Sequence, residues 1–462
     1  MQVSVLGSCS VIDFPADIEQ FFNNDNLVDI RNGHLMEMDA LPLLFLAEMI
    51  GDQTLYVRVC QAILANLKDS GGELWKCGVW GHDETHCRFS SVALRLMLIN
   101  IHYFDRELII KSLDNHLSHQ ESALEGVWFF HDSIETNKQS YYRRWAGQAC
   151  LDASPNNMLI LNTHIDTLIT LLVAQHYRVS DDKHHKLITQ GLTSLKSYFL
   201  NTEVVSGASA YIDRLIRSIL LLFSGKKDLL SRGVAYVINR FYYQSLRYKY
   251  KQKKNIRAFS DGYLERDIRL SGFSLEYHVV NIWDMSKLLL WMHYNHLTDS
   301  TVSKFTLSAT LDGLKYCFHS KAYRLYIKRI SLKKGVSNEV LEAIAILFIL
   351  GHRTKWMVEL YLDWRTFAPP SVGILGYDKS ISAGAALQSH ATDQTDIPLG
   401  VDWIPFDIGL VFVANNNAGD YHMDKAGHSV EWKSISSLSV NVEGNGTNII
   451  IPAKSIVILR KN

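Results

Sequence analysis

Apolar positions recur at helical spacing from about Met36 to Trp364, and breaks in the pattern pair the helices. The predicted pairs are 35–50 with 53–68, 89–103 with 105–118, 156–177 with 182–200, 207–223 with 226–246, 274–297 with 301–318, and 337–350 with 353–365. Breaks inside a pair are short, as at Gly51-Asp52 and Gly351-His352, which suits antiparallel hairpins. Breaks between pairs are longer and richer in Gly, aromatic and charged residues: 69–88, 119–155, 247–273 and 319–336. The best-marked helix follows Ser154-Pro155, a good N-cap and first-turn pair, and carries Leu161, Ile165, Leu168 and Leu172 as its apolar stripe.

After Trp364 the pattern changes. Pro369-Pro370 stops the helix, and 371–400 is rich in Gly, Ala, Ser and Asp. Short apolar runs follow at 408–413, 437–442, 448–451 and 455–459, with a Gly444-Asn445-Gly446 turn between two of them. The expected fold is mainly α: an irregular lead-in over 1–30 with a short strand near Val3, an (α/α)6 toroid of helical hairpins over 31–366, and a small antiparallel β domain over 367–462. In a closed ring of hairpins the long loops share one end, so their polar residues should line one mouth. No residue signature recurs at a fixed period, which argues against an open solenoid.

Composition narrows the partners. Lys plus Arg equals Asp plus Glu, 47 each in 462 residues, so no global field favours nucleic acid or a membrane surface. The basic run from Arg247 to Arg257 reads as a solvated helix end. No apolar run is long enough for a membrane span, and no basic segment precedes an apolar one at the N-terminus, so a cytoplasmic location is expected. Cys9, Cys60, Cys77, Cys87, Cys150 and Cys317 are too scattered for a disulfide framework.

Three stretches carry chemistry. The loop Gly126-Val-Trp-Phe-Phe-His-Asp-Ser leads past Arg143 to a helix bearing Asn162 and His164, with Trp128 and His131 in the loop itself. A second loop with Tyr263, Glu265 and Arg266 enters a helix that begins near Tyr277 and His278; Tyr277, Asn281 and Asp284 share one of its faces. Cys77, His82, His86 and Cys87 are zinc-ligand types, but adjacent His86 and Cys87 point apart on a helix. No cofactor is expected; a divalent metal is possible, with that third group as its candidate ligands.

The segment DGYLER…GFSLEYHVVNIWDMSKLL resembles heparinase II/III-type polysaccharide lyases, in which a similar stretch ending in Tyr-His leads from a loop into a helix of the toroid. GVWFFHDS…LNTHIDTLITLL is similar to the toroid of glucuronyl C5-epimerases, with His164 where that pattern has an apolar or aromatic residue. Both families abstract the C5 proton of a uronic acid, so the resemblance implies an acidic oligo- or polysaccharide as substrate. It implies Tyr277 and His278 as base and acid, with His131, Asn162 and Arg143 gripping the carboxylate. Trp128 would stack on a sugar, and His164, Tyr263 and Glu265 would line the mouth. The alternatives are a glycoside hydrolase using two of Asp132, Asp166, Glu265 and Asp284, and a non-catalytic glycan-binding or scaffold protein.

Overall fold

The structure, a computed structural model, describes residues 52–69, 86–132, 159–201, 207–238, 261–266, 274–334, 337–367, 401–406, 410–424, 432–437 and 448–461. It also describes short pieces at 2–5, 10–13, 203–204 and 257–258, and residues 40, 43, 44 and 47. These residues are mainly helical, with small sheets that are antiparallel but for one two-residue pair. The chain's contacts gather into two units, 1–66 with 331–462 and 67–330, a partition that cuts across the expected 31–366 body.

The first unit opens with the hairpin of β1 (Gln2–Val5) and β2 (Ser10–Asp13), and α1 (Gln53–Asp69) runs across its boundary. Along the second unit come α2 (Cys87–Ile99), α3 (Arg106–Leu117), the hairpin of β3 (Gln120–Ala123) and β4 (Gly126–Phe129), α4 (Leu161–His176) and α5 (Asp182–Asn201). Then come β5 (Glu203–Val204), α6 (Gly207–Phe223), a helical run over 229–238, and β6 (Arg257–Ala258). The unit ends with α7 (Tyr277–Tyr294), α8 (Thr301–His319) and α9 (Lys321–Lys334), the last of which crosses into the first unit. The first unit resumes with the hairpin of α10 (Ser337–Ile349) and α11 (Lys355–Arg365).

Its C-terminal strands are β7 (Val401–Phe406), β8 (Leu410–Asn415), β9 (Tyr421–Asp424), β10 (Trp432–Ser437), β11 (Asn448–Ile451) and β12 (Ser455–Lys461). Four of them form an antiparallel sheet in the order β10-β12-β8-β7, and β9 pairs with β11. Phe412 on β8 meets Phe348 of α10 and Tyr361 of α11. Asp402, fully buried on β7, accepts hydrogen bonds from Tyr361 Oη at 2.9 Å and from Arg365 Nε, tying the sheet to α11.

In the second unit α4 packs between α2 and α7, while α3, α5 and α8 pack behind them. The front helices are buried nearly all round: every residue of α4 from Leu161 to Ala174 is buried. Behind them, α3 and α8 have side-chain caps, Asp105 accepting from the Glu107 amide and Ser300 from the Ser303 amide. Instead of such caps, two front helices use neighbouring loops: Arg266 O accepts the Leu161 amide at 2.9 Å and His131 O the Cys87 amide at 3.0 Å. The expected N-cap Ser154 lies outside the described residues, and α4 begins instead at Leu161, where the Arg266 carbonyl is waiting.

Two histidines fasten the hairpins. In α4, His164 Nδ1 accepts the Phe129 amide at 3.3 Å, and Nε2 donates to Gly191 O on α5 at 3.1 Å. In α7, His278 Nδ1 accepts the Leu264 amide at 2.9 Å, and Nε2 donates to Gly313 O on α8 at 3.2 Å. The rest of each site also matches. Trp128 stacks on His164 and Tyr263 on His278. A Cβ on Gly191 or Gly313 would come within 3 Å of the Leu168 or Ile282 side chain, so any larger residue there would push that side chain aside.

Both hairpins close with a left-handed residue, Arg178 or His296, followed by the bond Val179 N to Ala174 O or Leu297 N to Met292 O. Gly351 and His352 repeat this between α10 and α11. His278 and Gly313 are 35 residues apart where His164 and Gly191 are 27 apart, about one extra turn in each helix.

The 319–336 stretch, expected as a loop, is largely the helix α9. Tyr323, Tyr326, Ile327 and Ile330 are buried at helical spacing beneath a basic surface, and the Lys and Arg content hid that stripe. Of the expected 437–442 strand only Ser437 is described, as the last residue of β10, and 438–447, including the Gly444 turn, lies outside the described residues.

Burial holds His164 and His278 neutral, with pKa near about 3, and His116 likewise. Groups depressed from 6.5 bind protons only on unfolding, so their stabilising contribution is complete above pH 6.5 and is lost as pH falls towards 3. Denaturant titrations at pH 7 and pH 5 should differ by about 2 kcal/mol for each such histidine. Equal unfolding free energies at the two pH values would refute the neutral assignment.

Candidate functional site

The loop–helix contacts bring a polar cluster to the first turns of α2, α4 and α7. His131 lies in the loop after β4, one residue before Asp132, which bridges to His86 at the start of α2. Its ring meets His86 edge-on at 4.2 Å, and Nδ1 lies 2.6 Å from Thr163 Oγ1 in the first turn of α4. Arg266, next to Glu265 in the matching loop, sets its guanidinium 4.8 Å above the ring of half-buried Tyr277 in the first turn of α7. His131 and Arg266 thus occupy corresponding places, each with its carbonyl on one helix and its side chain on the next.

Electrostatics favour an anion here. Helix N-termini present unpaired amides and a partial positive charge. Burial lowers the His131 pKa well below 6.5, and His86, Arg266 and Arg88 lower it further. The ring is therefore neutral. When Nδ1–H donates to Thr163, Nε2 carries a lone pair in a positively charged setting.

On the same face as Thr163's neighbour Asn162, one turn further along α4, lies Asp166. Burial pushes the Asp166 pKa up, but Arg95, Arg88 and Lys287 together hold it below its ordinary value. Arg95 Nη1 stands 2.9 Å from Asp166 Oδ1. Asn162 is 1% exposed and its Oδ1 has no hydrogen-bond partner.

The other expected site residues have different placements. His164 and His278 spend both ring nitrogens on the hairpins, so the geometry assigns them to the scaffold. Trp128 is fully buried with its face covered by His164, leaving no open platform for a sugar. Tyr263 is buried between His278 and Arg217, its hydroxyl on Glu265 Oε2 at 3.3 Å. Glu265 Oε1 accepts the Arg266 and Ser274 amides at 2.9 and 3.0 Å and so shapes the Arg266 loop.

Arg143, Cys77 and His82 lie outside the described residues. Cys87 is a buried thiol in the first turn of α2. Among the described residues, no group of three or more His, Cys, Asp or Glu could hold a metal ion, and no helix is long and apolar enough to cross a membrane. An open groove of about 590 Å³ lined by Phe223, Leu229, Arg232 and Tyr236 shares no residue with the polar cluster.

Arg88, Arg95 and Lys287 were missed as site residues. Their signal is a cation inside a helix whose other residues are mostly apolar and buried, which demands a partner. No family model, curated protein or solved structure matches the chain.

Glu265→Ala should strand two backbone amides and lower stability by about 2–4 kcal/mol, whereas Glu265→Gln, which keeps an acceptor, should lose less. Denaturant unfolding of the two variants checks this; equal stability of both with the parent protein would remove Glu265 as the loop's anchor.

Proposed function

We propose that the chain is a carbohydrate-active enzyme on an (α/α)6 toroid, removing the C5 proton of a uronate in an acidic glycan. The observation that carries this reading is His131: neutral, buried, oriented by Thr163, and surrounded by Arg266, Arg88 and His86 where three helices begin. The repeated histidine-fastened hairpins support the toroid.

In this reading Nε2 of His131 takes the proton from C5, next to the sugar carboxylate. The electron pair of the broken C5–H bond moves towards that carboxylate, where cationic and amide groups stabilise the developing charge. Tyr277, beneath the Arg266 guanidinium, supplies a proton. In elimination that proton goes to the oxygen leaving C4 as the C4–C5 double bond forms; in epimerisation it returns to C5 from the opposite face. Tyr277 stays in the reacting pair as proton donor instead of base, His131 takes the role of base, and His278, whose ring nitrogens are both engaged, leaves the pair.

The hydrolase alternative needs carboxyl groups free to donate a proton or attack. Asp166 faces Arg95, Asp284 is gripped by Arg88, and Glu265 holds backbone amides, which disfavours those three.

Incubation with uronate-containing oligosaccharides should yield an unsaturated product absorbing in the ultraviolet, or solvent deuterium at C5 without cleavage. His131→Ala should lower the rate by about 10²–10⁴ and Tyr277→Phe should also impair it, while overall secondary structure persists. Because His131 stays neutral well below pH 6.5, the acid limb of kcat/KM should lie below that value. Full activity in His131→Ala, or hydrolysis with neither unsaturation nor exchange, would overturn the reading.

A further inference from the structure

Five charged side chains meet between α2, α4 and α7. Arg88 grips Asp284 through both terminal nitrogens, Nη1 to Oδ2 at 2.5 Å and Nη2 to Oδ1 at 3.1 Å. Lys287, one turn on from Asp284, brings Nζ to 3.5 Å from Oδ1 and to 3.3 Å from the Trp283 ring centre. Arg95 holds Asp166 and also donates to Thr170 Oγ1 at 3.0 Å.

The members differ in access. The Arg88 side chain is 16% exposed, whereas those of Asp284, Lys287, Asp166 and Arg95 are 4% exposed or less. Asp284 is also the carboxylate with two cations, so it keeps Lys287 when Arg88 turns away. Asp166 has its own partner in Arg95 and does not compete. One turn from Asp166, Asn162 Oδ1 is a buried acceptor without a donor.

We propose that Arg88 is an exchangeable carboxylate seat: a ligand carboxylate takes its guanidinium from Asp284, Lys287 retains Asp284, and a ligand hydroxyl donates to Asn162 Oδ1. The ligand class is a hydroxycarboxylate, of which a uronate is the sugar form. The identification of that ligand as a uronate rests on the proposed function; the seat itself does not. A planar guanidinium matches a carboxylate through two parallel hydrogen bonds, and exchanging one carboxylate for another preserves that geometry. Arg88 also lies within electrostatic reach of His131, which puts a bound carboxylate near the base.

A permanent structural tie between Arg88 and Asp284 makes the opposite prediction for one variant. Calorimetric titration of the full chain with glucuronate, acetate and glucose tests this. The parent protein should bind glucuronate and, more weakly, acetate. Arg88→Lys keeps a cation opposite Asp284 but loses the fork, and should weaken both carboxylates about tenfold while leaving glucose unchanged. Asp284→Asn removes the internal competitor and should tighten both about tenfold; a merely structural tie predicts a lower melting temperature and no tightening.

The seat is overturned if the parent protein binds neither carboxylate, if Arg88→Lys binds them as tightly as the parent, or if folded Asp284→Asn does not bind them more tightly. Should Asp284→Asn fail to fold, Arg88→Lys decides. Carboxylate binding that depends on Arg88, with no turnover of any uronate, would retain the seat and sink the proton-abstraction reading. Uronate turnover with an unchanged KM in Arg88→Lys would do the reverse.

Discussion

Each fastening histidine holds three chain segments at once, and the polar cluster depends on that junction. His164 joins the end of β4 to α4 and α5; His278 joins the 261–266 loop to α7 and α8. The bond pattern defines the tautomer, since a backbone amide can only donate to Nδ1 and a carbonyl can only accept from Nε2–H. Burial then makes the charged form costly. With the loop fixed at Phe129 or Leu264, the chain two residues later falls at His131 or Arg266. Their carbonyls cap α2 and α4, while their side chains reach Thr163 and Tyr277. One interaction thus sets loop, cap and site in sequence.

The hairpins were legible because their buried faces follow the helical period and their turns are short. Gly351 announces its turn; Arg178 and His296 adopt the same left-handed geometry without glycine and give no such notice. The repeat escaped notice because a turn added to each helix of the second hairpin changes the spacing, and because Trp128-Phe129 and Tyr263-Leu264 share shape rather than identity. What the two segments share is an aromatic-apolar pair, Trp128-Phe129 or Tyr263-Leu264, and a later His-apolar pair, His164-Ile165 or His278-Val279. What sequence could not supply was the state of a histidine. His164 and His278 lie in the first turns of helices and His131 in the loop after β4, and the partners of their ring nitrogens separate a base from a fastener.

Buried charge is the other constraint on this unit. Removing an ion from water is expensive unless a partner of good geometry replaces the solvent, and breaking one such pair leaves the remaining ion exposed to the full cost. Asp166 and Asp284 satisfy this in different ways, the first with one close arginine and the second with an arginine and a lysine. A single partner fixes a carboxylate; two partners let one be released. The asymmetry is greatest at Arg88, the member of the group with solvent access.

This asymmetry also weighs on the choice among reactions. Glycoside hydrolysis asks a carboxyl group to change its protonation or bond state, which the pairing of Asp166 and Asp284 with cations resists. Proton abstraction beside a carboxylate asks for a neutral base and fixed positive charge, and it leaves the protein's own carboxylates ionised throughout. His131 meets the first requirement through burial and its cationic neighbours, which keep it unprotonated at neutral pH. In the proposed reaction those same cations would hold the substrate's carboxylate, so one set of charges would both keep the base free and gather the anion it acts on.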